Sequence, residues 1–516
     1  VPGSETTQEG GAALEPEPPA RGRLAGRLTL SCVVGLAFVL LGAVVGVGAF
    51  RDNSFLTHLA TGRLIIEDGG LPSSDVYSFT ARGEPWVVQS WLISVVTAQL
   101  EAWGGLALVR AFFAVATATL AGITWLLAAP ARTLVVRMGL AALVALLGAA
   151  GFWPERPLLF GLVGLGLVLL AAEDRFDPRW LVPVLWLWAN AHGSFPMGFG
   201  VAVLLWAGRR LDGGDTSVER RVTLWVAVGM AAAVVGPLGP KVLTFPIELL
   251  SRQDVLSQVV EWQAPTFESA GQRLFLVFVL VCVLALVRRP SWRAALPFVV
   301  FLGLALVAAR NDAPAALVFL PGAAYGLADL GRATILGDRT SPVLRIVGVA
   351  LAALVLLVVV SPLLSSGAQT DADELVGGPD LDLSGYPVAA LSWLDQQGVL
   401  GPDTRLVARD YVGNYLEAAT DGEVPVFVDD RFDMYPDVVL EDHVQLLGGA
   451  PGERGSPIDV IESYDADVVV WEAGSATGEL LALSDRWAVV YVDDAWLVAC
   501  PRVEPGGEAR CGPVDA

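Results

Sequence analysis

The sequence predicts a polytopic α-helical membrane protein of about eleven spans, followed by a C-terminal extracytoplasmic α/β domain. Three observations predict it. The 516-residue chain is 54% hydrophobic and 17% charged, with a mean hydropathy of +0.58, values that suit a membrane-embedded chain. Arginines gather beside alternate ends of the apolar runs: Arg132 and Arg137, Arg175 and Arg179, and those of 209–221, 288–293 and 332–345, the pattern of cytoplasmic loops. After residue 366 the composition switches to 30 acids against 7 arginines, so this segment alone accounts for the net charge of −21. An acidic surface of that kind argues against nucleic acid or anionic lipid as its partner.

Residues 1–27 open the chain. Their Glu-, Pro- and Gly-rich stretch has no apolar periodicity and reads as disordered. Arg21, Arg23 and Arg27 stand just before the first span and put the N-terminus in the cytoplasm. That span is too long for a signal peptide and shows no small-residue cleavage pattern, so a retained anchor is expected. The membrane domain covers 28–364, with an outer loop over 51–104. Its apolar runs are 28–50, 106–129, 134–152, 158–172, 180–190, 196–207, 222–235, 274–287, 294–309, 313–330 and 346–364. Several fall short of the ~20 residues of an upright span. The arginine parity works when 86–103 does not cross. Its polar stripe, Ser90, Ser94, Thr97 and Glu101, recurs at helical spacing, as in a helix lying at the outer interface. A further span with that stripe turned into the bundle is the alternative.

A Gly-, Asp- and Ser-rich linker, 365–384, leads to the α/β domain at 385–502 and a tail at 503–516. Helical patterns at 387–397, 437–447 and 458–464 alternate with short strands at 406–408, 424–428 and 467–471. Two last strands, 487–492 and 495–500, flank the turn Asp493-Asp494. No Gly-rich phosphate loop follows any strand, so nucleotide binding has no support. Of four cysteines, Cys32 and Cys282 lie in spans. Cys500 and Cys511 lie in the outer, oxidising part, and a disulfide that ties down the tail is expected; two free thiols are the alternative.

Candidate chemistry gathers in the outer loop after the first span. Asp52 stands just past that span, where a carboxylate reaches a headgroup at the membrane surface and serves as general base. Asp75 and His58 share the loop, and Arg156, in the outer turn WPERP, offers a fork-shaped cation for phosphate. The plain alternative for Asp52 is a boundary residue that ends a helix.

These residues belong to an ordered set. Asp52, His58 and Gly62 form an Asp…His-Leu…Gly run. Pro72, Asp75, Ser78 and Phe79 continue it, and Trp86 and Trp91 follow. Arg156-Pro157 opens a span. Trp188, Asn190, His192 and Gly193 form a Trp-Ala-Asn-x-His-Gly turn. Glu261-Trp262-Gln263 and Arg310-Asn311 lie in later outer loops, and Gly413, Tyr415, Asp430, Arg431 and Tyr435 lie in the outer domain. The set resembles the GT-C class of polyprenyl-phosphate-sugar-dependent glycosyltransferases, close to the protein-mannosyltransferase-like bacterial membrane proteins, over most of the chain. It departs from that pattern at Asn53-Ser54, where a second acid is common, and at Gln89, where a histidine is common.

The resemblance implies a multi-pass enzyme of a bacterial cytoplasmic membrane. It implies sugar transfer from a polyprenyl-phosphate carrier to an extracytoplasmic glycan, lipid or protein acceptor. Asp52 is then the base, assisted by Asp75 and His58. Arg156 and Arg310 hold the donor phosphate, and His192, Glu261 and Asn190 line the cavity. The segment 236–273 covers the donor lipid as an interfacial helix. The missing second acid leaves the need for a divalent metal open, and no metal ligand is assigned. Asp429, Asp430, Arg431 and Asp433 read either as oxygen ligands for a cation or, more simply, as a turn braced by Arg431. Two other readings stand beside the enzyme: a non-catalytic scaffold whose outer domain binds an envelope partner, and a carrier of a lipid-linked glycan.

Overall fold

The computed structural model describes residues 29–149, 155–252, 262–330, 342–365 and 380–511. The readings made on 1–28, on most of the linker and on Glu261 lie outside those residues. The bundle is built from α1 (Leu30–Gly46), α2 (Ser54–Asp68), α3 (Trp91–Leu127), α4 (Leu134–Ala149), α5 (Leu158–Ala172), α6 (Leu181–Ala191) and α7 (Pro196–Leu211). It continues with α8 (Ser217–Ala233), α9 (Lys241–Ser251), α10 (Ala270–Arg288), α11 (Trp292–Val307), α12 (Asp312–Gly326) and α13 (Pro342–Ser365). Among the described residues three helices are both long and apolar enough to cross a membrane: α3, α10 and the Arg345–Leu364 part of α13. Only 11% of that last window is buried, so a bilayer is the environment that stabilises it.

The outer loop is more helical than expected. Its first half is α2, which starts where Asp52 Oδ1 accepts the backbone N–H of Ser54 at 3.1 Å. It stops at Gly69, whose φ of 67° closes the helix end. Phe55 stacks on Phe50 at 4.0 Å and is 1% exposed. Burying such a ring contributes ~2–3 kcal/mol, which fixes the start of α2 beside Asp52. Farther along, a Cβ on Gly62 would stand 1.9 Å from the Ser94 carbonyl oxygen, so only glycine lets α2 lie this close to α3.

The stretch expected to lie at the interface, 86–103, is the first limb of α3 preceded by a turn. Gly104 and Gly105 break the helix between its limbs, Gly105 with φ 64° and ψ −174°. The polar stripe does not face water. Ser94 and Thr97 are buried against α2, and Arg63 of α2 donates from Nε to Glu101 at 3.0 Å. What this limb exposes is apolar, Trp103 most of all.

The C-terminal domain contains α14 (Val388–Gln396), β1 (Leu406–Val407), α15 (Asp410–Ala419), α16 (Asp437–Gly448), α17 (Pro457–Ser463) and β2 (Val468–Glu472). Then come α18 (Ala476–Leu483), β3 (Trp487–Val492) and β4 (Trp496–Pro501). The sheet order is β1-β2-β4-β3, with β1 parallel to β2 and the other pairs antiparallel. Cys500 and Cys511 form a disulfide with Cα atoms 5.1 Å apart. The expected strand at 424–428 is not part of this ladder. Val426 instead forms isolated bridges to Leu406 and to Ser78 of the outer loop. Its N–H donates to Tyr77 O at 3.0 Å and its C=O accepts from Phe79 N at 3.1 Å, so its hydrogen bonds go to the membrane domain.

A second backbone bridge ties the domain down. Phe50 N donates to Asp380 O and Asp382 N donates to Phe50 O, each at 2.8 Å. Arg110 pairs with Asp380 beside it. The α/β domain is thus sewn to the end of the bundle at both the linker and Val426.

Candidate active site

Asp52 lies in that seam. Its Oδ2 forms an ion pair with Arg156 Nε, and its Oδ1 accepts from Ser54. The carboxylate is 6% exposed and the guanidinium 23%, so the cation is the part an incoming group meets first. Glu155, next to Arg156, anchors the pair: its Oε1 accepts the backbone N–H groups of Arg51 and of Asp52, the latter at 2.8 Å. Burial holds the Glu155 carboxyl above its ordinary range. Glu155 was not singled out in the sequence, although it adjoins Arg156 in the same turn.

His58 sits just past the first turn of α2, with Nδ1 3.1 Å from Ser94 Oγ. Ser94 Oγ donates to Ser90 O at 3.3 Å, which makes His58 Nδ1 the donor and leaves Nε2 as an acceptor. Burial, then the nearby charge of Arg156, pulls His58 down to about 4, so the ring is neutral at pH 7. His192 is neutral as well. Burial and the charges of Arg310, His58 and Arg156 bring it to about 3, and Nδ1 is 2.8 Å from Ser194 Oγ. The charge of Arg156 acts on both rings. The Arg310 guanidinium lies over Trp262 at 4.3 Å.

Asn190 stands behind the site. It is fully buried, accepts from Trp91 Nε1 at 2.9 Å and donates to Trp186 O at 2.8 Å. It joins α6 to the start of α3 and does not act as a cavity wall.

Asp75 is a correction. The sequence places it with Asp52 and His58, yet its side chain is fully buried elsewhere. Its oxygens accept from Tyr77 N at 3.2 Å, Ser78 N at 3.0 Å and Ser78 Oγ at 2.7 Å, and Arg431 Nη1 is 2.8 Å away. With its lone pairs spent on a turn and a cation, it braces the loop. Arg431 also grips Asp429, its Nε donating to Oδ1 at 2.9 Å, and approaches Glu417 at 3.5 Å. Tyr435 donates to Asp429 at 2.6 Å, and the guanidinium lies over Trp86 at 4.4 Å and Tyr77 at 4.9 Å. Of the two readings of 429–433, the braced turn is the one found.

The outer domain adds an acid. Asn53 Nδ2 donates to Asp430 Oδ1 at 3.0 Å. Asp430 N donates to Asn414 Oδ1 at 3.0 Å, which also receives Thr57 Oγ1 at 2.7 Å. Burial, then the charges of Asp410 and Asp52, push the Asp430 carboxyl well above its ordinary value. Tyr386 is shifted upward by burial and the same acids, Asp430 before Asp52. Among the described residues no group of three or more His, Cys, Asp or Glu is arranged to hold a metal ion. The Arg156 guanidinium occupies the Oδ2 side of Asp52, where a cation would otherwise bind.

No protein-family model matches the chain, and no curated protein matches it in sequence. Its structure is similar to an oligosaccharyltransferase of Archaeoglobus fulgidus crystallised with a tethered acceptor peptide, at 12% identity and a TM-score of 0.47, over 85% of this chain and 69% of that one. Another structure of the archaeal enzyme, with an inhibitory peptide and a dolichol-phosphate, gives 12% identity and 0.45 over the same shares. A mycobacterial arabinofuranosyltransferase gives 15% and 0.43, over 92% of this chain and 40% of that one. At these scores the likeness says nothing of donor, acceptor or catalytic residue.

Proposed function

We propose that the chain is a membrane glycosyltransferase of the GT-C class that moves a sugar from a polyprenyl-phosphate carrier to an acceptor outside the membrane. In this reading about eleven segments cross or enter the bilayer, with the N-terminus cytoplasmic and the α/β domain outside. The observation that carries it is the Asp52–Arg156 ion pair, set between the apolar bundle and a polar domain. A lipid-phosphate donor needs a cation for its phosphate and an apolar wall for its tail. The acceptor hydroxyl needs a base near its line of attack. The junction offers all three.

Before donor arrives, Arg156 and Asp52 neutralise each other. A donor phosphate competes for the guanidinium, with Arg310 as the second cation, and releases Asp52 to take the acceptor proton. His58 and His192, both neutral, add no competing positive charge. Asp75 braces the loop and has no part in the chemistry.

The test compares glycolipid and glycan profiles of cells with the wild-type chain, a deletion or Asp52→Asn. Loss of a saccharide species on deletion, not restored by Asp52→Asn, supports the reading. Full restoration by Asp52→Asn sinks the base assignment. An unchanged profile on deletion favours the scaffold.

A further inference from the structure

At the far end of α5 from Arg156, roughly 22 Å along that helix, lies a cavity of about 620 Å³. The ends of α5, α7, α8, α10, α11 and α12 meet around it. Its floor is apolar, with Leu169, Leu205, Phe298 and Phe319. Its rim carries Glu173, Asp174, Asp212, Asp215 and Glu219 against Arg209 and Arg293. The size is that of a small-molecule site.

The polar groups of this rim are not equivalent. Arg293 is engaged at each of its three nitrogens: Nε donates to Glu219 Oε1, Nη1 to Glu173 Oε1 and Nη2 to the Ala172 carbonyl, each at 2.8 Å. Asp212 caps α11, accepting from Trp292 N at 2.7 Å and Arg293 N at 3.1 Å. Glu219 differs. It is 4% exposed, and its second oxygen, Oε2, is buried without a hydrogen-bond partner. An unpaired carboxylate oxygen in such a place calls for a donor. Other features point the same way. Pro297 and Pro321, on facing helices that line the cavity, each remove one helical donor, leaving the carbonyls of Arg293 and Leu317 without it. Helices α5, α7, α10 and α12 bring their C-terminal, electronegative ends to this side, against the N-terminal ends of α8 and α11, the latter already capped by Asp212. The cavity is rich in acceptors and carries more acids than arginines.

We propose that this cavity binds a primary ammonium carried on an apolar chain, the ammonium donating to Glu219 Oε2 and the chain lying on Leu169, Leu205, Phe298 and Phe319. A fatty anion does not fit, because its carboxylate would face unpaired acceptors. A free alkylamine and an ethanolamine lipid share this chemistry. The site is separate from the Asp52 centre and stands whether or not the sugar-transfer reading does.

The experiment uses the full chain in phosphatidylglycerol nanodiscs, with octylamine, octanol and octanoate as probes and the thermal midpoint as readout. Octylamine raises the midpoint saturably, and octanoate does not. Glu219→Gln weakens octylamine about tenfold or more, the size of one charge-assisted hydrogen bond. Leu286→Trp, which fills the cavity from α10 and leaves Glu219 and Arg293 unsubstituted, abolishes the shift and keeps the test decisive if Glu219→Gln does not fold. A suppressed octylamine shift in phosphatidylethanolamine discs marks the lipid headgroup as the occupant, and an unchanged shift marks a free amine. Equal shifts with octanoate, no shift with octylamine, or an octylamine shift that survives Leu286→Trp overturns the proposal.

Discussion

Arg431 Nη1 stands 2.8 Å from Asp75 Oδ1, and the two residues come from opposite sides of the junction between bundle and α/β domain. Around that contact Asp429 and Glu417 bring two more carboxyls to the same guanidinium. Burial alone would lower the charge of Arg431, but the acids outweigh it and hold the guanidinium charged. Removing the cation leaves buried acids uncompensated. Arg431→Met is therefore expected to destabilise the chain by ~3–5 kcal/mol. Thermal unfolding checks the cost, and limited proteolysis should show the outer loop and the α/β domain loosening together.

Glu417 supplies a pH dependence. Burial, then the charge of Asp429, raises its carboxyl well above the ordinary value, whereas Asp429 is lowered because Arg431 and its hydrogen bonds outweigh burial. The folded state thus keeps a proton on Glu417 that the unfolded chain releases. Stability from this group is full below the unfolded carboxyl pKa and is lost as pH rises toward the folded one. Asp429 has the opposite sign, its contribution lost only in acid. Glu417→Gln, which fixes the neutral form, should make the midpoint of the variant gain on the wild type between pH 5 and pH 8. Parallel midpoints across that range would remove the claim.

The break in α3 needs a residue without a side chain. Gly105 has φ 64° and ψ −174°, a region open in practice to glycine alone. Gly105→Ala should cost ~1–3 kcal/mol, as strain or as straightening of the two limbs. A cysteine at the exposed Trp103 should be labelled by an impermeant reagent from the outside in the wild-type background. Labelling from the cytoplasm only would reverse the proposed topology.

The tail disulfide closes a short loop, Cys500 and Cys511 being 11 residues apart. Its removal should cost ~2–3 kcal/mol. Paired Cys500→Ser and Cys511→Ser substitutions, with mass spectrometry of the unreduced wild type, check both the bond and its worth.

For the proposed chemistry, Asp52→Asn keeps the shape of the side chain and removes the base. Transfer should fall roughly a hundredfold or more with the fold intact. Arg156→Gln should fall comparably, with a raised donor requirement as the distinguishing sign. Asp75→Asn should lower stability first, and transfer only as far as the loop loosens.

Long-period features were legible in the sequence. The apolar runs, the last hairpin and the cysteine pair depend on neighbours close in the chain or on composition. The helix α2 does not stand out from its loop in the sequence, because its buried face mixes Thr57, Thr61 and Gly62 with its apolar residues, which hides the period. Asp75 was assigned to the wrong cluster because its partner, Arg431, is far along the chain and no local pattern links them. The sequence places Asp430 in the outer domain's Asp-Arg run and in an acidic turn, and neither links it to Asp52. Its approach to Asn53, and so to Asp52, is a product of how the two domains dock.

That docking limits how the molecule can be taken apart. Val426 spends both its backbone groups on Tyr77 and Phe79, and the start of the outer segment spends its own on Phe50. A secreted fragment beginning near residue 380 would carry these groups bare, together with the acids that Asp75 and its turn now help enclose. It would be a poor antigen for the native surface and a poor reagent for finding ligands, prone to pair through its uncovered edge with another copy. Transplanting it onto a related bundle should fail unless residues 73–86 travel with it, because that loop is as much a piece of the outer domain as of the membrane one.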